Sequence, residues 1–120
     1  MYTNEQILEA AEAAIQEMGA DYVYRPTVAG CVYAVITKNG PEPSCLVGQI
    51  VFRLNPEDFK EVAIWEVTAD GDTDAMAMAA KLSLGFTEEQ SYALRAAQLA
   101  QDAGSTWGVS LDMLKEKLSA

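Results

Sequence analysis

A chain of 120 residues, 50% apolar and 22% charged, has the length and composition of a single domain spanning 1–120 that can build a core without disulfides or bound metal. With 18 acidic against 8 basic side chains, the formal net charge of -10 excludes direct nucleic-acid binding through a basic groove and attraction to an anionic membrane surface. The absence of histidine removes the commonest general base, metal ligand and pH switch together.

In chain order, Thr3-Asn4-Glu5-Gln6 has capping-box spacing, with Thr3 as cap and Gln6 reaching back. Ile7, Leu8, Ala11, Ala14, Ile15 and Met18 then repeat as one helical face, and Gly19 is the expected stop. Tyr22-Val23-Tyr24 reads as a short strand closed by Arg25-Pro26. Cys31 to Thr37 is the strongest strand signal. Lys38-Asn39-Gly40 supplies turn chemistry, and Pro41 and Pro43 deny two backbone donors beyond it. A two-stranded antiparallel ribbon follows, with Trp65-Glu66-Val67 as a candidate third strand.

Ser44 is a candidate cap for a helix whose stripe is Leu46, Val47, Ile50, Val51 and Leu54; a strand over Cys45–Phe52 competes, but the period fits a helix better. Asn55-Pro56-Glu57-Asp58 joins a cap, a first-turn proline and two acids, opening a short helix from Pro56 to near Ile64. Thr68 to Asp74 is a polar loop. Ala75–Leu84 reads as an Ala- and Met-rich helix with Gly85 at its end. Thr87 and Gln90 repeat the capping box of a helix running to near Ala103, with Tyr92, Ala96, Leu99 and Ala103 on one face and Ala93, Ala97 and Ala100 widening it. Ser105 or Thr106 then caps a terminal helix with the stripe Trp107, Leu111, Leu114 and Leu118. The stripes of the last two helices suit either a core or a homodimer seam. These elements make an α+β domain of about five helices packed around a small antiparallel β-ribbon.

Candidate chemistry is sparse. Asp70, Asp72 and Asp74 alternate as at the start of a calcium loop, but the pattern then fails, with Ala75 where glycine belongs and Lys81 where the closing acid belongs. No metal and no cofactor is expected. Cys45 lies near a helix start, where the dipole favours a thiolate, yet no histidine can serve it as base; a buried thiol is the plainer reading, and Cys31 could lie beside it if the chain reverses at Asn39-Gly40. Ser44 has no nucleophile-elbow frame, and Gly40 to Gly48 lacks the lysine of a phosphate loop. Glu57, Asp58 and Glu61 open the most lopsided acidic stretch, opposed only by Lys60. With Trp65 and Trp107 as large aromatic anchors, they are the candidate partner-binding residues. Met1 leads into polar and acidic residues, and no apolar run approaches the roughly 20 residues of a membrane span, so a cytoplasmic protein without membrane association is expected.

Cys31-Val32-Tyr33, Pro43 to Gln49, and Ala97, Gln98, Gln101, Asp102, Gly104, Trp107 and Gly108 resemble a signature of small uncharacterised proteins of actinobacteria and their phages. The resemblance covers the middle and the C-terminal third and carries no activity. It implies a phage or prophage accessory protein in a bacterial cytoplasm. The leading expectation is therefore a non-enzymatic interaction protein that binds a host protein. An acidic DNA mimic that blocks a nucleic-acid-binding protein is one alternative. A small-molecule binding domain with a pocket beside the ribbon, using Cys45 or Tyr33, is the other.

Overall fold

A computed structural model of the chain describes residues 1–25 and 32–119. Its described elements are α1 (Asn4–Met18), β1 (Ala34–Thr37), β2 (Gly40–Pro43), α2 (Leu46–Leu54), α3 (Pro56–Thr68), α4 (Ala75–Lys81), α5 (Glu88–Asp102) and α6 (Trp107–Ser119). This is an α+β fold with six helices, one more than expected, beside a two-stranded antiparallel ribbon. Cys31 and Pro26 lie outside the described residues.

Local capping chemistry sets the starts of the helices. Both expected capping boxes form: the Thr3 and Thr87 hydroxyls accept from the Gln6 and Gln90 amides, and each glutamine side chain accepts from the cap's own N–H. Asn55 accepts from the Glu57 and Asp58 amides, with Pro56 in the first turn where its missing N–H costs nothing. Cys45, rather than Ser44, caps α2: its Sγ accepts from the Gly48 amide at 3.4 Å, while the Ser44 hydroxyl bonds Tyr24 Oη at 2.7 Å. The helical reading of 46–54 holds over the competing strand.

The ribbon register pairs Ala34 with Pro43, Val35 with Glu42, Ile36 with Pro41 and Thr37 with Gly40. A proline cannot donate, so both prolines must sit at non-hydrogen-bonded positions of an antiparallel pair, and the Ser44 N–H to Tyr33 carbonyl bond of 2.9 Å continues that alternation. The ladder thus loses nothing to its prolines. Their ring nitrogens face outward and leave β2 an edge short of donors.

Trp65-Glu66-Val67 is not a third strand. No breaker follows Ile64, and α3 runs on to Thr68 because Phe59, Val62 and Ala63 hold its inner face in the core. Tyr22-Val23-Tyr24 does not join the ribbon either; Val23 makes one isolated bridge to Thr106. There the carbonyls of Ala20 and Tyr22 accept from Gly108 and Trp107, satisfying two first-turn donors of α6, and the Thr106 hydroxyl takes Val109. Helix α4 ends at Lys81, short of Leu84. Ser83 stands at a φ of +51° with Leu84 N–H bonded to the Ala79 carbonyl and Ser83 N–H to that of Ala80, a left-handed helix stop without glycine.

Helix α5 is rotated from its expected face. Ala93, Leu94, Ala97 and Gln101 are buried, whereas Tyr92 and Leu99 are exposed. Ala93 and Ala97 on the inner face allow α5 and α6, its most extensively packed neighbour, to approach closely. The core is one cluster built from Ile7, Ala11 and Ile15 of α1, Leu46, Ile50 and Val51 of α2, Phe59 and Val62 of α3, Met78 of α4, Leu94 of α5, and Trp107 and Leu114 of α6. Of the predicted stripes, Ala93, Ala97, Trp107 and Leu114 are internal packing, whereas Tyr92, Leu99 and Ala103 lie on the surface. Among the described residues, no helix is long and apolar enough to cross a membrane.

Candidate functional site

Two surfaces compete for function. The first is a polar cleft of about 220 Å³ lined by Tyr33, Cys45, Glu66, Asp74, Gln98 and Gln101, among others. Gly48 of α2 presses onto the backbone of Tyr33; a Cβ at Gly48 would stand 2.9 Å from the Tyr33 carbonyl carbon and closer still to its oxygen. That approach holds Tyr33 under α2. Its hydroxyl donates to the Thr73 carbonyl at 2.6 Å and accepts from Gln98 Nε2 at 2.9 Å, while Gln98 Oε1 takes the Ala75 N–H at 2.8 Å. Glu66, on the inner face of α3, accepts from the Tyr33 and Ala34 amides at 2.8 and 3.1 Å, one to each oxygen. Burial pushes the Glu66 carboxyl up in pKa, and those two N–H bonds pull it part of the way back. Gln101 Oε1 accepts from both Leu46 N–H at 2.9 Å and Trp107 Nε1 at 3.1 Å. The groups around the cleft are therefore largely engaged with one another.

Cys45 in that cleft is 3% exposed, and burial pushes its thiol up to about 12, so the dipole argument for a thiolate fails. Burial also raises the Tyr33 phenol, which stays neutral in the physiological range. Neither side chain is prepared for nucleophilic or acid–base work. The segments that carried the sequence resemblance, Val32-Tyr33, Cys45 and Gln98 to Asp102, meet at this cleft.

The second surface is the outer face of α3 with the adjoining ribbon. The 3.6-residue period places Glu57, Lys60, Glu61, Ile64, Val67 and Thr68 on one side of α3, opposite the buried Phe59 and Val62. Ile36 and Pro41 come up beside Ile64 and Val67, and Ala63 closes the floor of an open apolar groove of about 320 Å³. Ile36, Ile64 and Val67 are 67%, 70% and 73% exposed. Ile36 lies in a different element from Ile64 and Val67, and no local pattern in the sequence announces that the three meet.

The predicted site residues separate accordingly. Trp107 is not a surface anchor. It is 0% exposed, with its indole N–H on Gln101 and its ring edge-on to Tyr22 at 4.7 Å. Trp65 is half-buried and packs on the core. Glu57 and Glu61 are exposed on the outer face of α3, Glu57 paired with Lys60 at 3.3 Å. Asp58 turns aside and accepts from the Tyr2 hydroxyl at 2.7 Å. Burial and that carboxylate raise the Tyr2 phenol to about 12.

Asp70, Asp72 and Asp74 do not converge. Asp70 and Asp72 are exposed, and Asp72 accepts from the Asp74 amide at 3.0 Å. Asp74 caps α4 through the Ala77 N–H at 2.9 Å and pairs with Arg95 at 2.9 Å. Partial burial works against its charge, but these bonds outweigh it and hold the carboxyl below the usual range. Among the described residues no group of three ligating side chains could hold a metal ion.

No protein-family model, no curated protein and no solved structure matches the chain.

Proposed function

We propose that this chain is a non-enzymatic interaction protein of a bacterial cytoplasm that docks on a host protein through the outer face of α3 and the ribbon. The observation that carries this reading is the contiguous exposure of Ile36, Ile64 and Val67 around Pro41. Single exposed apolar residues are ordinary, and three branched ones meeting over one groove from two elements support the reading of a contact surface. The host and the compartment come from the resemblance to phage and actinobacterial proteins. The engaged polar groups and raised thiol pKa of the cleft favour binding over catalysis.

The DNA-mimic alternative needs carboxylates repeating like phosphates along a surface. On the outer face of α3 the acids stop at Glu61, where Ile64 and Val67 take over, which favours an apolar interface. The small-molecule alternative has the polar cleft in its favour. A metabolite that raises the melting temperature and perturbs Tyr33, Glu66 and Gln98 would promote it.

The test is affinity capture from actinobacterial lysate with the wild-type chain and an Ile64→Asp, Val67→Asp variant, washed at low and high salt. Both positions are exposed, so the variant should fold. The expected result is one protein retained by the wild type at both salts and lost by the variant. Retention indifferent to the variant, or no retention, would overturn the reading. A set of basic proteins lost at high salt and displaced by duplex DNA would replace it with the mimic.

A further inference from the structure

Resting on the docking reading above, we infer that the partner segment is a basic amphipathic helix rather than an added β-strand. Strand addition needs a sheet edge with free alternating donors and acceptors. On β2 the outward positions are Pro41 and Pro43, which have no N–H. On β1 the outward positions are Ala34 and Ile36, and Glu66 already takes the Ala34 N–H at 3.1 Å. Of the two strands' four outward positions, only the Ile36 amide is left to offer, too little for a backbone ladder.

Side chains must then make the contact. The groove between Ile36 and Pro41 on one side and Ile64 and Val67 on the other has room for one or two aliphatic anchors, with Ala63 beneath. Glu61 and Glu57 continue the face of α3 three and seven residues before Ile64, which at 1.5 Å per residue is about 5 and 11 Å along the helix axis. Those intervals are one and two turns of a helix laid along α3. A partner helix with aliphatic residues at i and i+4 and Lys or Arg one turn away would meet the groove and Glu61 together, and a second basic residue one turn further would share Glu57 with Lys60. The net charge of -10 attracts a basic segment to the molecule, and Glu57 and Glu61 set two exposed carboxylates beside this groove. A second copy of this chain suits it poorly: antiparallel packing of two α3 helices would bring Glu57 of one against the Asp70 end of the other.

Two synthetic helical peptides with one shared leucine stripe, flanked by Lys and Arg in one and by Glu and Asp in the other, test the inference by titration into methyl-labelled protein. The basic peptide should shift the methyl signals of Ile36, Ile64 and Val67, and the acidic peptide should leave them unmoved. Replacing both exposed acids, Glu57→Lys and Glu61→Lys, should weaken the basic peptide about tenfold, and added salt should weaken it as well. Equal response to both peptides, shifts confined to another face, or no shift with either would overturn the inference. If the peptides fail while lysate capture is still lost in the Ile64→Asp, Val67→Asp variant, the helical partner falls and the docking face stands. If capture is also indifferent to that variant, both fall.

Discussion

Gln101 joins three elements through one oxygen, and removing that oxygen tests whether the buried network is real. The residue is 2% exposed, and its Oε1 accepts from the first amide of α2, Leu46 N–H, and from Trp107 Nε1. Gln101→Leu keeps most of the volume and packing but leaves both donors without a partner, and both parent residues are 0% exposed. A buried unsatisfied donor costs about 1–3 kcal/mol, so two that shared one acceptor should cost about 3 kcal/mol together. The lost Nε2 bond goes to exposed Asp102 and adds little. For a domain this long the unfolding entropy is about 0.25 kcal/mol/K, so the melting temperature should drop by about 12 °C. Urea unfolding followed by tryptophan fluorescence measures the change, and an unaltered m-value shows that the transition is the same one. Gln101→Glu retains an acceptor but sets a second carboxylate beside Asp102, so its deficit should shrink as the pH falls. A loss below about 0.5 kcal/mol for Gln101→Leu would refute the reasoning, because two orphaned buried donors cannot cost so little.

Gly48→Ala should destabilise more than ordinary overpacking, by at least about 3 kcal/mol, because the obstruction is the Tyr33 backbone rather than a movable side chain; a soluble variant with a wild-type urea midpoint would contradict this. Ser83→Gly should stabilise by about 1 kcal/mol, since Ser83 holds a left-handed φ of +51° that glycine adopts freely, and thermal unfolding reads the gain. Cys45 should resist thiol reagents at pH 8 in the native state and react only as the chain unfolds, counted apart from Cys31 by peptide mass spectrometry. Its folded pKa of about 12 also sets the sign of an alkaline effect. Between about 8.5 and 12 the unfolded thiol has lost its proton and the native one has not, so stability falls as pH rises through that window. A Cys45→Ala variant should lack that component of the slope.

Elements whose signals are local were legible in the sequence. The two capping boxes, the Asn55-Pro56 start and the stop at Gly19 depend on residues within a turn of one another, and all form. Errors arose where a partner lies far along the chain. Trp107 reads as an anchor until Tyr22 and Gln101 enclose it. Trp65-Glu66-Val67 carries strand-forming residues, but Glu66 serves the ribbon from within α3 by capping amides 32 and 33 residues away. Tyr92 and Leu99 look like core positions because their period is helical; only the burial of Ala93, Leu94 and Ala97 shows which side of α5 is inward. The exposed apolar face of α3 was hidden for the same reason. Ile64 and Val67 share the period of Phe59 and Val62 only loosely, and no local rule says that Ile36 and Pro41 will rise beside them.

Site-specific photocrosslinking tests the proposed docking face most directly. With p-benzoylphenylalanine in place of Ile64, or of the exposed Tyr92 of α5 as a control, irradiation in actinobacterial lysate should give one discrete adduct from position 64 and none from position 92. An adduct from position 92 with none from 64 would contradict the assignment of the outer face of α3 and the ribbon as the surface this protein uses.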